Sequence, residues 1–162
     1  MGERERAVSV RPATEADLPA LLPLVRAYAT FYESDPPEAG IERMCRALIA
    51  DPQGAGFILA GCDGDGKVVG FAAVAWKWSS LRGAVIGYLD DLYVDPEARG
   101  SGLADALIAA CADRLRERGA PAMAWLTRPD NHRARAVYDR VGAVGEEFIE
   151  YELELGETAG GH

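Results

Sequence analysis

The stretch YLDDLYVDPEARGSGLADALIAA, from Tyr88 to Ala110, decides the fold. A strand-like run ends at Asp95, the residues Arg-Gly-Ser-Gly follow, and an apolar-periodic segment begins at Leu103. At the start of a helix about four backbone N–H groups lack partners, and the dipole places roughly half a positive charge there. Because glycines let an anion approach those amides, the turn predicts a phosphate site, or equally a tight connection in which glycine supplies a positive φ.

Two other phosphate-binding patterns do not fit this turn. A P-loop requires the pattern GxxxxGK[ST], which the chain lacks. A dinucleotide-binding fingerprint requires glycine or alanine where Asp105 stands, and repeated βαβ units do not precede the turn. Both classes of nucleotide-binding protein are therefore excluded.

The chain around the turn is predicted to form one α/β domain. Apolar periodicity, capping residues and Asp-Gly turns predict the order β-α-α-β-β-β-α-β-α-β, a mixed sheet with helices on both faces. The last two strands of that order are predicted at AMAWLT (residues 122–127) and EEFIEYELEL (residues 146–155). We expect a single domain over residues 1–156 and a flexible tail over residues 157–162.

Composition and charge narrow the class of protein. Of 162 residues, 49% are hydrophobic and 27% charged, as in an ordinary soluble domain. No window approaches the roughly 18 apolar residues of a membrane span, so we predict a cytoplasmic protein with no membrane partner. The net charge of −9 argues against a nucleic-acid-binding protein. It is compatible with a cationic substrate, or simply with a surface that excess acidic residues keep soluble. Three scattered cysteines and two histidines predict no metal.

Three motifs, in the same order, resemble those of the GCN5-related N-acetyltransferases, the GNAT superfamily. The turn fits [RQ]xxGx[GA] through Arg99, Gly102 and Ala104, and LDDLYVDPEARG resembles the family's lead-in to it. NHRARAVYDRVGA (residues 131–143) resembles a second signature, and VRPATEADLPAL (residues 10–21) resembles the family's first strand and helix. The resemblance implies a mostly antiparallel sheet of six to seven strands flanked by about four helices, and acetyl-CoA-dependent N-acetyltransferase activity.

The resemblance also implies where acetyl-CoA, without a metal, would bind. Backbone groups on the central strand would bond the thioester and pantetheine, at Leu92, Tyr93 and Val94. The turn would hold the pyrophosphate, at Arg99, Gly100, Ser101, Gly102, Leu103, Ala104 and Asp105. The second signature would flank the pantetheine arm, at Asn131, Ala134, Arg135 and Tyr138.

Acyl transfer to an amine requires two proton transfers. An ammonium with a pKa of about 10.4 costs roughly 4–5 kcal/mol to neutralise at pH 7, and the departing thiolate needs a proton. By the resemblance Tyr138 is the candidate acid, with packing at the sheet edge as the structural alternative. Asp90 is the candidate base because it matches a glutamate of diamine- and polyamine-type enzymes. Asp90 is one methylene shorter than that glutamate, which makes proton transfer through a water molecule plausible. The alternative to a catalytic role is a structural one, in which the Asp90 carboxylate bonds backbone amides at a strand bulge.

The acceptor implied by the resemblance is a small primary amine, such as a diamine, a polyamine or an amino acid, which receives the acetyl group directly in a ternary complex. The residues implied to contact it are Tyr28, Tyr32, Glu33 and Asp90. Two alternatives stay open: a protein or peptide amine as the acceptor, and a non-catalytic acyl-CoA-binding module on the same fold. The resemblance also admits a homodimer.

Overall fold

Strands and helices follow each other in the predicted order as far as the last helix. The computed structural model describes residues 7–156, so the predicted tail lies outside the described residues. Its elements are β1 (Ser9–Pro12), α1 (Leu18–Phe31), α2 (Glu38–Ala50), β2 (Gly56–Cys62), β3 (Val68–Ser79), β4 (Ala84–Val94), α3 (Leu103–Glu117), β5 (Met123–Ala124) and α4 (His132–Arg140). Short 3-10 turns at Glu15–Asp17 and Pro96–Ala98 precede α1 and α3. The predicted mixed α/β fold is confirmed.

The described chain divides into two compact units at the bond between Leu126 and Thr127. The first unit holds the whole sheet and helices α1 to α3, and the second holds α4 and the residues after it. The single domain over residues 1–156 stays a prediction. Among the described helices, none is both long enough and apolar enough to cross a membrane.

The sheet positions the functional turn at the end of its longest ladder. Its described strands lie in the order β1-β2-β3-β4-β5, with antiparallel pairs from β1 to β4 and a parallel pair between β4 and β5. The β3–β4 ladder runs from the pair Gly70–Val94 to the pair Ser79–Ala84. The β2–β3 hairpin closes where the Asp63 carboxylate accepts hydrogen bonds from the N–H groups of Asp65 (2.9 Å) and Lys67 (3.0 Å). Such side-chain bonding is what makes Asp-Gly sequences good turns.

Helices cover both faces of the sheet because side chains alternate along β2 and β3. On one face, Ile58, Phe71 and Ala73 pack with α1 and α2. On the other, the neighbouring positions Phe57 and Ala72 pack with α3. The predicted inward face of α3 is confirmed, since Leu103, Leu107, Ile108, Cys111 and Leu115 are all buried.

The predicted capping residues Thr14 and Asp17 fix the start of α1. The buried Asp17 carboxylate accepts a hydrogen bond from the Thr14 N–H (2.8 Å) and two from the Arg11 guanidinium (2.7 Å each). The guanidinium, more than any other partner, lowers the pKa of Asp17 to about 2. The first strand, the cap and α1 are thus joined by one ionised carboxylate.

Two predicted strands differ from the structure. Within AMAWLT only Met123–Ala124 is a strand, and Leu126 is half exposed. β5 pairs with β4 only at Gly87 and Tyr88, and the bulged residue of β4 follows two residues later. EEFIEYELEL has no regular secondary structure, since no described strand pairs with it. The predicted six to seven strands are therefore wrong, and the described sheet has five.

Candidate functional site

The glycine turn leaves backbone amides available at the start of α3. Gly100 and Gly102 have φ values of 82° and 83°, and a Cβ added at either would meet no atom within 4 Å. The first hydrogen bond of α3 runs from the Ala106 N–H to the Gly102 carbonyl (3.0 Å), so the helix does not use the amides before it. The Ser101 hydroxyl donates to the Ala98 carbonyl (2.6 Å) and closes the turn. Positive φ and open space thus occur together at both glycines.

The Arg99 side chain turns back onto β4. Its Nε donates to the Val94 carbonyl (3.0 Å), and its guanidinium lies 5.7 Å from the centre of the Tyr93 ring. These contacts fix the turn to the strand that precedes it. The Arg99 side chain is therefore engaged with β4, on the strand side of the turn.

One edge of β4 is open just before the turn. Leu92, Tyr93 and Val94 pair with β3 on one side. On the other side β5 pairs only as far as Tyr88, and no further described strand follows it. An extended chain could add itself to that edge by main-chain hydrogen bonds, as a peptide does in strand addition.

A bulge in β4 separates the two adjacent carboxylates. Leu89 pairs with Val74 and Asp91 pairs with Ala73, so Asp90 is the extra residue without a partner on β3. The Tyr28 hydroxyl donates to the Asp90 carbonyl (2.9 Å) and satisfies a group that the bulge removes from the ladder. Asp90 is exposed, and partial burial of its carboxyl raises its pKa.

Asp91 lies in a cleft between β4 and the helices α1 and α2. The cleft has a volume of about 270 Å³. Its lining residues are Val25, Tyr28, Ala29, Tyr32, Ser34, Pro36, Gly40, Ile41, Met44 and Asp91. Burial, opposed by a hydrogen bond with Tyr28, raises the pKa of Asp91 to about 6. A carboxylate held among apolar side chains has the chemistry to pair with a cation. Sequence reasoning missed Asp91 because only the bulge shows which of the two aspartates enters the cleft.

Two of the four predicted acceptor contacts line the cleft, and two, Asp90 among them, do not. Tyr28 and Tyr32 line it, with ring centres 5.0 Å apart. Glu33 is exposed and is not among the lining residues. Its φ of 57° is left-handed, and it ends α1 where glycine is usual, with the Ser34 N–H bonded to the Ala29 carbonyl (2.9 Å).

The second unit carries the remaining predicted residues on or beside α4. The Asn131 side chain caps the helix by accepting from the Ala134 N–H (3.3 Å). Arg135 donates from Nη1 to the Pro129 carbonyl (2.7 Å). Tyr138 follows Asn131 by seven residues, which is two helical turns and the same side of the helix. Within the described residues, no three His, Cys, Asp or Glu side chains gather in a way that could hold a metal ion.

Comparisons with known proteins identify the family. Residues 21–143 match the acetyltransferase (GNAT) family. An aminoglycoside N(6')-acetyltransferase type 1 from Stenotrophomonas maltophilia is 32% identical over 148 residues, which cover 90% of this chain and 92% of that protein. The uncharacterized N-acetyltransferase YhfO of Bacillus subtilis is 28% identical over 149 residues, covering 91% of this chain and 98% of that one.

A solved structure agrees with the sequence matches. The crystal structure of a probable acetyltransferase superposes with a TM-score of 0.79 at 26% identity, over 93% of this chain and 99% of that chain. The predicted family is thus confirmed by a match that spans most of the chain and includes the glycine turn. The chain belongs to the GNAT family and is an acetyl-CoA-dependent N-acetyltransferase.

Proposed function

We propose that the chain moves the acetyl group of acetyl-CoA to a primary amine of a small molecule, by direct transfer in a ternary complex. One observation carries the proposal: β4 and the turn after it present a carboxylate cleft at Asp91, an open edge at Leu92–Val94 and free space at the glycines. Since a strand advances about 3.3 Å per residue, an amine at Asp91 lies one residue from the start of that edge.

The donor would lie along the first unit in an extended form. Its pantetheine arm would add to the open edge at Leu92, Tyr93 and Val94, where main-chain N–H and C=O groups face no described strand. Its diphosphate would accept hydrogen bonds from the amides between Gly100 and Asp105, at the positive end of α3. Asn131, Ala134 and Arg135 of the second unit remain the proposed flank of the pantetheine arm.

The chemistry requires the acceptor nitrogen to lose its proton first. We assign that proton to Asp90, directly or through water, because Asp90 is exposed at the bulge and its carbonyl is held by Tyr28. The nitrogen lone pair then attacks the thioester carbon, and the C–S bond breaks as the C–N bond forms. Tyr138 would give the departing thiolate its proton, and the second proton of the nitrogen, lost as the amide forms, would return Tyr138 to its neutral form through water.

The size of the cleft supports a small acceptor. Its volume of about 270 Å³ falls below the roughly 300–1,000 Å³ of sites for drug-sized ligands. The name of the Stenotrophomonas relative states that it acetylates an aminoglycoside, which is also a small molecule with amino groups. We therefore favour a small-molecule amine over a protein or peptide amine.

An amine panel tests the proposal. The chain is incubated with acetyl-CoA and with monoamines, diamines, polyamines, amino acids, aminoglycosides or N-terminal peptides, and release of free thiol is followed. We expect release with at least one class of small amine. Release with peptides alone would replace the proposal by a peptide acetyltransferase. Coenzyme A binding by calorimetry without release from any amine would replace it by a non-catalytic module.

Two further expectations remain predictions. The cytoplasmic location is tested by cell fractionation. The homodimer is tested by light scattering on the eluate of a sizing column.

A further inference from the structure

The Asp91 cleft has charge on one wall and apolar side chains on the others, and this arrangement indicates the kind of amine that fits it. Asp91, on the β4 side, is the one charged side chain among the lining residues. The walls are formed by Val25 and Tyr28 of α1 and by Ile41 and Met44 of α2. Ser34 is exposed at the mouth. The cleft therefore offers one ionic partner and otherwise an apolar surface.

We infer that the preferred acceptor is a primary monoamine with a small hydrocarbon body, whose ammonium pairs with Asp91 while the hydrocarbon lies between α1 and α2. This inference rests on the proposed function, whose acceptor it specifies. Burying one additional methylene in such a cleft improves binding about fourfold, whereas a second ammonium among apolar walls must give up its water without a counter-charge.

No acidic residue other than Asp91 is among the residues that line the cleft. In the loop after α1 and at the start of α2, Asp35 and Glu38 both pair with the Arg26 guanidinium, at 3.1 Å and 2.6 Å. Glu33 is outside the lining. Asp90 precedes Asp91 in β4 as the bulged residue, and it is not among the lining residues either. Among the residues that line the cleft, a second ammonium would therefore find no second carboxylate.

The two tyrosines of the cleft already have partners within the protein. The Tyr28 hydroxyl already donates to the Asp90 carbonyl at 2.9 Å, and Tyr32 interacts with neighbouring groups of the protein. A polyhydroxylated acceptor would need several such groups at its disposal. The cleft thus differs in chemistry from one built for an aminoglycoside, the acceptor class named for the Stenotrophomonas relative.

Two amines of equal chain length test the inference. The kcat/KM values of butylamine and butane-1,4-diamine are compared by thiol release, and their binding to the coenzyme A-saturated protein is compared by calorimetry. We expect both the kcat/KM and the affinity of butylamine to exceed those of the diamine at least about tenfold, since the second ammonium of the diamine would meet apolar walls. Equal values, or a preference for the diamine, would overturn the inference. If neither amine is acetylated, the full amine panel decides the proposed function, and the calorimetric comparison still decides the inference.

Variants locate the preference in the cleft. Asp91→Asn should weaken butylamine binding at least about tenfold, while the control Asp113→Asn, an exposed α3 residue paired with Arg116 on the other face of the sheet, should leave it unchanged. Met44→Glu adds a carboxylate to the α2 wall and should shift the ratio toward the diamine at least about tenfold. Unchanged binding in Asp91→Asn, or an unchanged ratio in Met44→Glu, would place the acceptor outside this cleft.

Discussion

Replacing Asp91 by Asn should stabilise the protein at alkaline pH while it removes the counter-ion of the acceptor. Burial raises the pKa of Asp91 from 3.8 to about 6, with the neighbouring Asp90 charge adding to the effect and a Tyr28 hydrogen bond opposing it. Between these two pH values the folded chain keeps a proton that the unfolded chain has released. The contribution of this carboxyl to stability therefore falls as the pH rises through that window.

The size of the effect follows from the two pKa values. Each pH unit between 3.8 and 6 corresponds to about 1.36 kcal/mol, so the ionised carboxylate costs at most about 3 kcal/mol of folding free energy above pH 6. Because the unfolded carboxyl is already largely ionised at pH 5, about 1.4 kcal/mol of that cost appears between pH 5 and pH 8. Asn has the same shape, keeps a partner for Tyr28 and carries no charge, so Asp91→Asn escapes this cost.

Urea unfolding of both proteins at pH 5 and pH 8 measures the effect. The quantity of interest is the free energy of unfolding of Asp91→Asn minus that of the native protein, because other titrating groups cancel in the difference. We expect this difference to grow by about 1.4 kcal/mol from pH 5 to pH 8. A difference that stays constant, or that shrinks as the pH rises, would show that Asp91 is not buried as the structure has it.

Three further predictions concern the cap, the thiols and the proposed acid. Asp17→Asn should lower the free energy of unfolding by about 2 kcal/mol at pH 7, because the depressed pKa of Asp17 stabilises the folded protein. This stability is present above pH 4 and is lost as the pH falls toward 2. Urea unfolding curves of Asp17→Asn and the native protein that coincide at pH 7 would contradict this. Burial raises the pKa of Cys45 to about 11 and of Cys111 to about 12, so Ellman's reagent at pH 8 should label the folded protein at least about tenfold more slowly than the protein in urea. Tyr138→Phe should slow turnover at least about tenfold with little change in coenzyme A affinity, and an unchanged rate would assign the acid role to another group.

The glycine turn could be predicted from sequence because its chemistry is local. Gly100 and Gly102 stand between a strand pattern and a helix pattern, and both take the positive φ that the sequence suggested. The buried face of α3 was equally readable, since helical spacing alone determines it.

The missing strand pairings could not be predicted in the same way. Alternation in residues 146–155 shows which side chains would share a face, but a strand also needs a neighbour for its hydrogen bonds. The pairing of β5 with β4 stops at Tyr88, which no pattern within 122–127 reveals.

The bulge at Asp90 explains why only part of the candidate site could be predicted from the sequence. One extra residue in β4 leaves no trace in composition or periodicity, yet it decides that Asp91 enters the cleft beside α1 and α2. The resemblance pointed to Asp90, and the structure was needed to show that its neighbour Asp91 lines the cleft. The left-handed backbone of Glu33 could not be predicted either, because a helix end of this type usually has glycine at that position.

The measurement that tests the central claim most directly compares two glycine variants. Gly102 in the turn and Gly66 in the β2–β3 hairpin have φ values of 83° and 82°, and a Cβ at either would meet no neighbour within 4 Å. Alanine at either position therefore introduces the same left-handed strain, about 1–2 kcal/mol. Calorimetry then gives the Kd of each variant for acetyl-CoA and for S-acetylpantetheine, which has no diphosphate.

If the amides of the turn hold the diphosphate, Gly102→Ala weakens acetyl-CoA binding at least about tenfold and leaves S-acetylpantetheine binding unchanged. Gly66→Ala changes neither Kd. Native acetyl-CoA affinity in Gly102→Ala, or an equal loss for both ligands, would contradict the account.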